Sequence, residues 1–143
     1  MKQATLCFLV DANGGKPRVL LGFKKRSFGM NKWNGFGGKI MEKETQKEAA
    51  ARELHEECLV RVQEKDLEKR AQIHFISLKE PKEEWMVHVF VSEKWSGEPQ
   101  ETEEMKPQWF FFNQIPFEQM WADDSIWLLP VLEGGKINAK FVF

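Results

Sequence analysis

Two stretches of the chain, GKIMEKE at residues 38–44 and RELHEECLV at residues 52–60, decide the fold and are separated by seven residues. Between them, Thr45 and Glu48 have the spacing of a capping box, and good helix formers continue to Glu57. This segment therefore predicts a helix that begins after Thr45, with a small apolar side for packing on a sheet formed by Ala49, Ala50 and Leu54.

Three glutamates, Glu53, Glu56 and Glu57, stand at positions i, i+3 and i+4 of that helix, so their carboxylates share one face. Like charges at this spacing repel each other, and hard divalent cations such as magnesium resolve the repulsion by binding carboxylate oxygens. The alternative is a solvated acidic face, which the Glu-x-x-Glu-Glu spacing taken alone favours. The preceding Gly37 and Gly38 favour the metal-binding interpretation, because backbone can approach a ligand there without an intervening side chain.

The two stretches together resemble the Nudix box, the signature of the Nudix hydrolase family. That pattern runs glycine, five residues, glutamate, seven residues, then Arg-Glu-apolar-x-Glu-Glu-x-Gly-apolar, and every charged position is met here. The resemblance implies a Nudix fold, an α/β/α sandwich, in a hydrolase that cleaves a nucleoside diphosphate linked to another group. It also implies that magnesium or manganese is bound by Glu53, Glu56 and Glu57, close to Arg52.

Two positions depart from the glycines common in the family. Leu59 replaces the second glycine of the box, which would serve as a left-handed helix terminator. Leucine in that conformation costs on the order of 1–2 kcal/mol unless the chain takes another route. Lys43 also stands where relatives often carry glycine. The departure at Leu59 concerns the turn after the helix more than the metal site, whose ligands precede it.

Outside the box, short apolar runs and turn signals predict the remaining elements. Residues 5–10 and 18–22 flank a turn-forming loop and predict a hairpin. Further strands are predicted at 71–78, 85–91, 108–112 and 137–143, and a second helix within 124–132. With no repeat or linker, the sequence predicts one domain over residues 1–143, of the α+β class, with a mixed sheet packed between helices.

Composition excludes several classes of function. The 21 basic and 22 acidic residues give a net charge of −1, so nothing attracts the chain generally to nucleic-acid polymers or anionic membranes. Cys7 and Cys58 match no metal spacing and suit a reducing compartment. The apolar run at residues 6–10 is too short for a signal peptide or membrane span. We therefore expect a cytoplasmic monomer whose partner is a small phosphorylated molecule.

The resemblance extends nearly end to end, to animal members of the family that hydrolyse oxidised purine nucleoside triphosphates. It rests on WNGFGGK (33–39), VHVF (87–90), EMKP (104–107), QIPF (114–117) and MWADDS (120–125). It implies hydrolysis of 8-oxo-dGTP, 2-hydroxy-dATP and similar nucleotides to the monophosphate and pyrophosphate, which sanitises the nucleotide pool. It further implies a substrate-binding set that reads the base and lines the nucleotide site: Thr5, Lys24, Phe28, Asn34, Phe75, Trp121, Asp123 and Asp124.

The same resemblance completes the catalytic and metal-binding set with Glu104 and the carbonyl of Gly37. Magnesium held by the glutamates would neutralise the phosphates and polarise a water, and one of Glu56, Glu57 or Glu104 would accept its proton. The family varies in which residue is the base, so the three alternatives stay open at this point.

Asp123 and Asp124 also suggest base recognition on chemical grounds. Two adjacent carboxylates in a semi-buried pocket disfavour double ionisation, so one would hold a proton near neutrality and donate a hydrogen bond. The alternative is that Asp-Asp-Ser is a helix N-cap in a solvated loop. The other tryptophans, among them Trp127, are interpreted as packing or surface residues, and the three histidines as structural.

Two other functions remain open from the sequence. A Nudix hydrolase for other nucleotides keeps the chemistry, but the set of Asn34, Trp121, Asp123 and Asp124 favours one specific base pocket. A catalytically silent nucleotide-binding module is supported by Leu59, but a silent site has no need of the complete charged box.

Overall fold

A computed structural model describes all residues, Met1–Phe143, with two α-helices and eight strands. The elements are β1 Lys2–Asp11, β2 Arg18–Lys24, β3 Trp33–Asn34, β4 Phe36–Lys39, α1 Gln46–Cys58, β5 Glu68–Ser77, β6 Glu83–Ser92, β7 Met105–Phe111, α2 Asp124–Leu132 and β8 Ile137–Val142. The predicted class, both helices, the hairpin and the other predicted strands are confirmed, with bounds shifted by a few residues. Neither helix has the length and apolarity needed to cross a bilayer.

All eight strands join one mixed sheet, whose main path runs β3-β2-β1-β6-β5-β8. β1 lies parallel to β6 and β5 parallel to β8, whereas the remaining pairs are antiparallel. β4 pairs with β1, and β7 pairs with β2. The sheet is therefore mixed, as the sequence predicts.

Strand β4 is missing from the sequence-based prediction, which interprets Gly37 and Gly38 as open backbone for a ligand. Gly37 instead lies against β1, where an added Cβ would be 1.8 Å from the carbonyl oxygen of Thr5. The absence of a side chain thus lets two strands approach, a requirement that composition alone does not reveal, since glycine is rare in strand interiors.

The two faces of the sheet carry separate apolar cores. Successive residues of β1 point to opposite faces, so Phe8 joins the core under α2 whereas Cys7 joins the core under α1. The first core includes the fully buried Trp127, and the second includes Leu54 of α1. One helix on each face of a central sheet is the predicted α/β/α sandwich.

Both ends of α1 follow the sequence-based expectation. The Thr45 hydroxyl accepts from the Glu48 N–H at 3.1 Å, and the Glu48 carboxylate accepts from the Thr45 N–H at 2.9 Å, which completes the capping box. At the other end, Leu59 has φ 65° and ψ 13°, and its N–H donates to the His55 carbonyl. Leucine therefore takes the left-handed conformation of the family's glycine, and Lys43 also has a positive φ, of 69°.

Candidate active site

Arg52 joins the acidic residues of α1 to the turn before the helix. Its guanidinium donates to both oxygens of Glu44, from Nε at 2.6 Å and from Nη2 at 3.0 Å. These hydrogen bonds hold the pKa of Glu44 below its usual value. Nη1 donates to Glu53 at 2.9 Å and lies 3.3 Å from a carboxylate oxygen of Glu56. Glu44 thus fixes Arg52, and Arg52 in turn orients Glu53.

Glu57 belongs to α1, and it is buried, with only 2% of its surface exposed. One of its oxygens accepts from the Gly37 N–H at 2.9 Å, and the other lies 3.9 Å from the ammonium of Lys24. Burial, followed by repulsion from Glu53, raises the pKa of Glu57 to about 8, although Lys24 opposes the shift. Without a further positive charge, this side chain holds a proton near neutrality.

Thr102 brings Glu104 to the same region. Its hydroxyl donates to the Glu57 carbonyl at 2.9 Å and accepts from the Glu104 N–H at 3.3 Å. The negative charge of Glu104 helps to raise the pKa values of Glu53 and Glu57, so the three carboxylates act on one another. On its outer side Glu104 lies 3.6 Å from the guanidinium of Arg26.

These side chains fit a divalent cation by their chemistry rather than as a preassembled cage. As they stand, no three acidic, histidine or cysteine side chains are grouped closely enough to hold an ion. Glu53 is drawn to Arg52, and Glu57 to the Gly37 N–H. Their oxygens are the ligands that hard cations prefer, and mutual repulsion favours a cation that draws them together. Gly38 leaves room beside them, since an added Cβ would lie 2.6 Å from Glu53 Oε1.

A second group of predicted site residues surrounds Trp121. Phe28 stacks on this indole, with ring centroids 5.2 Å apart and planes at 22°. The ammonium of Lys32 lies over the same indole, 5.0 Å from its centroid. Phe28 is 86% exposed, so a ligand can reach its ring from solvent. The structure therefore brings two of the predicted base-binding aromatic residues into direct contact.

Asp123 and Asp124 lie at the start of α2 but do not cap it by side-chain hydrogen bonds. Asp123 occupies the N-cap position, as the capping alternative expects, but it has helical backbone angles and makes no side-chain cap bond. Its carboxylate instead accepts from the indole N–H of Trp127 at 2.8 Å. Asp124 is 3% exposed, and one of its oxygens has no hydrogen-bond partner. Burial, and then the charge of Asp123, raise the pKa of Asp124 to about 7.

The remaining predicted substrate-binding residues lie on the sheet. Thr5 is buried between Gly38 and His88 in neighbouring strands, and its hydroxyl has no partner. The side-chain oxygen of Asn34 accepts from the Gly35 N–H at 2.8 Å. Phe75 packs against the core under α2 and stacks on Phe141 with centroids 5.7 Å apart. Phe75 therefore lies on the face of the sheet that α2 and Asp124 cover, whereas Thr5 lies on the face that α1 covers.

One short segment connects the acidic group to the aromatic group. Lys24 lies beside Glu57, and Phe28, four residues later, stacks on Trp121. Four residues span at most about 14 Å. The acidic group on α1 and the stacked Phe28 and Trp121 are thus joined by a short segment of chain.

Among the residues in these contacts, the sequence-based site omits Glu44, Thr102 and Trp127. Glu44 is a fixed position of the box, but only the folded structure shows that it holds Arg52. Trp127 stands four residues after Asp123, so the i, i+4 spacing on a helix offered a signal. No sequence signal connects Thr102 to α1, because 45 residues separate it from Glu57.

The chain is similar to known proteins over most of its length. The family model described as NUDIX domain matches residues 1–129. A zebrafish protein named oxidized purine nucleoside triphosphate hydrolase is 48% identical over 142 residues, covering 99% of this chain and 86% of the relative. A mouse protein of the same name is 47% identical over 126 residues, covering 88% and 79%. The crystal structure of a MutT protein from Bacillus halodurans superposes with a TM-score of 0.82 at 26% identity, covering 100% of this chain and 90% of that one.

The chain belongs to the Nudix family, because the family model covers most of its length. Nudix hydrolases generally need divalent metal ions, which accords with the carboxylates on α1. The two relatives extend the similarity beyond the box to the segment that carries Trp121 and the paired aspartates.

Proposed function

We propose that this protein, acting as a single domain, hydrolyses oxidised purine nucleoside triphosphates to the monophosphate and pyrophosphate with magnesium as its cofactor. The observation that carries the substrate assignment is the buried Asp124, whose pKa of about 7 lets it hold a proton at neutrality. The names of the zebrafish and mouse relatives support the same substrate class.

Base recognition rests on the two aspartates and the neighbouring aromatic rings. A protonated Asp124 donates a hydrogen bond, whereas an ionised Asp123 accepts, so together they match a purine edge with one acceptor and one donor. Oxidation at C8 changes this pattern, because it turns N7 from an acceptor into a donor. Trp121 and Phe28 supply flat apolar surfaces on which a purine stacks. The pair therefore distinguishes oxidised from normal bases by hydrogen bonds rather than by size.

The phosphate chain is assigned to the α1 side of the molecule. Glu53, Glu56, Glu57, Glu104 and the carbonyl of Gly37 would hold the cation. When bound, magnesium supplies charge neutralisation and a polarised water. Lys24 binds phosphate, since its ammonium already faces the acidic group. Arg52 keeps Glu53 oriented.

Among the three possible general bases, Glu56 is favoured by its exposure. Its side chain is 52% exposed, so water reaches it directly, and it lies 3.3 Å from Arg52. Glu57, by contrast, is 2% exposed and accepts a hydrogen bond from the Gly37 N–H, so water reaches it less readily than Glu56. We therefore assign proton acceptance to Glu56.

The test is pyrophosphate release from 8-oxo-dGTP and from dGTP, with magnesium or with EDTA, beside a Glu56→Ala variant. Magnesium-dependent release that favours the oxidised nucleotide and is lost in the variant is the expected result. Equal rates on the two nucleotides would support a hydrolase but contradict the sanitising role. No release from either nucleotide would contradict the proposal.

Asp123→Asn and Asp124→Asn test the base assignment separately from the chemistry. Each is expected to reduce the preference for 8-oxo-dGTP over dGTP by about 10- to 100-fold, since a misplaced buried donor leaves a base edge unpaired. Asp66→Asn, in the turn before β5, is a matched control. An unchanged preference in both site variants would show that the aspartates do not read the base.

A further inference from the structure

The turn that follows β2 begins with three consecutive basic residues, Lys24, Lys25 and Arg26, which the structure places in different environments. Lys24 is the last residue of β2, and its ammonium faces the buried Glu57 at 3.9 Å. Lys25 joins the turn to the segment before β7 through hydrogen bonds of 2.6 and 2.8 Å from its ammonium. Both lysines therefore have partners within the protein, whereas Arg26 extends further into solvent.

Arg26 is held by long ion pairs at the surface. Its Nη1 lies 3.5 Å from Glu103, and its Nη2 lies 3.6 Å from Glu104. The Arg26 side chain is 54% exposed, and that of Glu103 is 88% exposed. Exposed ion pairs contribute little to stability, and a guanidinium presents several N–H donors in a rigid fork. Arg26 therefore has both the freedom and the donors to bind an anionic ligand from solvent.

Glu104 connects Arg26 to the proposed metal site. The Thr102 hydroxyl bonds both the Glu57 carbonyl and the Glu104 N–H, which keeps Glu104 beside the acidic group of α1. Arg26 loses much of its attraction to Glu104 when that carboxylate shares its charge with a divalent cation. The phosphates that accompany such a cation then offer the guanidinium a replacement, because arginine matches phosphate oxygens with paired N–H donors.

The position of Arg26 assigns it to one part of the phosphate chain. Lys24 and Arg26 are two residues apart, so their Cα atoms are separated by at most about 7 Å. Lys24 faces the buried side of the acidic group, whereas Arg26 lies on its exposed side, beyond Glu104. The β- and γ-phosphates of a triphosphate leave together as pyrophosphate, and a group that departs into solvent is expected on the exposed side.

We propose that Arg26 binds the pyrophosphate part of the triphosphate, and that Glu103 and Glu104 hold its guanidinium at that position in the free protein. The inference rests on the proposed function, since it names a residue that recognises the phosphate chain at the same site. Arg26 then distinguishes a triphosphate substrate from its monophosphate product by charge.

Equilibrium binding tests the inference without turnover. The ligands are the α,β-methylene analogue of 8-oxo-dGTP, which resists hydrolysis, and 8-oxo-dGMP, both with magnesium and both measured by calorimetry. Arg26→Gln is expected to bind the triphosphate analogue about tenfold more weakly than wild type and to keep its affinity for the monophosphate. Arg61→Gln, which removes an exposed arginine three residues after α1, should keep both affinities. Unchanged affinity for the analogue, or an equal loss for both ligands, would overturn the inference.

Magnesium pyrophosphate is a second probe, because it contains no base. Arg26→Gln is expected to bind it about tenfold more weakly than wild type does. An enzyme that hydrolyses 8-oxo-dGTP and dGTP equally would contradict the proposed substrate, whereas weaker pyrophosphate binding in the variant would still support the role of Arg26. Equal affinity of the two proteins for magnesium pyrophosphate would overturn that role.

Manganese binding without nucleotide, followed by electron paramagnetic resonance, separates phosphate binding from support of the metal site. Arg26→Gln is expected to bind manganese about twofold more tightly than wild type, because Glu104 no longer shares its charge with a guanidinium. Weaker manganese binding in the variant would show that Arg26 orients Glu104 for the metal, and would overturn the inference.

Discussion

The acidic group on α1 and the aspartate pair on α2 place their buried carboxyl groups in different surroundings. On α1, Glu53 is bonded to Arg52, and Glu57 accepts from the Gly37 N–H. On α2, Asp124 is buried, with an unpartnered oxygen and a raised pKa. Both sites hold a buried carboxyl group with a raised pKa, but only the α1 site also places a lysine and an arginine beside its carboxylates.

This difference indicates what each site requires from its ligand. Carboxylates that repel one another gain from a cation, so the α1 site gains free energy when positive charge arrives. A buried protonated acid is stabilised when a ligand acceptor meets its hydrogen, so in the proposed function the α2 site selects by hydrogen-bond pattern. The proposed function thus assigns recognition of charge and recognition of hydrogen-bond pattern to the two ends of one substrate.

Glu53→Gln is expected to have the largest effect, because it removes a ligand charge while keeping the shape of the side chain. We expect kcat to fall by about 10³-fold, which corresponds to several kcal/mol of lost charge stabilisation. Steady-state pyrophosphate release at saturating magnesium measures it. Glu48→Gln on the same helix is the control, since glutamine also serves in a capping box. Activity that survives Glu53→Gln would show that the α1 site does not depend on the charge of Glu53.

Asp124→Asn sharpens the comparison through the pH dependence of stability. In the unfolded chain this carboxyl ionises near its ordinary value, 3.8, whereas in the fold its pKa is about 7. Its contribution is thus fully present at low pH and is lost as the pH rises through 7. Between pH 5 and 8 we expect the wild-type free energy of unfolding to fall by about 2–3 kcal/mol on this account.

Urea unfolding of both proteins at pH 5 and pH 8 measures this contribution. Asparagine has no proton to lose, so the variant should lack this part of the slope and keep the part due to Glu57. Identical slopes in the two proteins would show that Asp124 is ionised in the fold at neutral pH.

Glu44→Ala tests whether the α1 site depends on its own internal bonds. Arg52 loses hydrogen bonds of 2.6 and 3.0 Å, so we expect the free energy of unfolding to fall by about 2 kcal/mol. The apparent magnesium affinity should fall by about tenfold, because Arg52 no longer orients Glu53. Chemical unfolding and a magnesium titration of activity measure the two effects. The control Glu42→Ala removes an exposed carboxylate of the same turn, and an equal loss there would refute the special role of Glu44.

Leu59→Gly is expected to have the smallest effect, and to be stabilising. Leu59 has φ 65° and is 42% exposed, so glycine relieves strain at little cost in packing. We expect a gain of about 1 kcal/mol in the free energy of unfolding, with unchanged kcat. Leu78→Gly, at an exposed leucine outside the left-handed region, should instead destabilise. A large change in activity for Leu59→Gly would tie the helix terminus to the metal site.

Much of the α1 site could be predicted from the sequence, because its parts are close along the chain. The capping box and the shared face of Glu53, Glu56 and Glu57 follow from helix spacing, whereas the left-handed turn at Leu59 was suggested by the family's glycine and left open for leucine. Strand β4 could not be predicted, because Gly37 owes its place to the backbone of Thr5 in a strand distant in sequence.

The sequence predicted which residues form the α2 site, but not the contacts that these residues make. Asp123 and Asp124 were predicted as a pair of carboxylates of which one holds a proton, and Trp127 was interpreted as a packing or surface residue. Trp127 does pack, on Phe8, but its N–H is also directed at Asp123. The i, i+4 spacing from Asp123 is the one sequence signal for this contact, and it does not show that the indole is buried.

The sequence by itself determined the class of fold, the helix that carries the carboxylates and the family, because these depend on periodicity and on a motif of fixed spacing. The tertiary structure decided which charges are compensated and which are not. Burial raises the pKa values of Glu57 and Asp124, whereas Arg52 lowers that of Glu44. Burial and hydrogen-bond partners depend on packing between distant segments, which the spacing of residues within one segment does not determine.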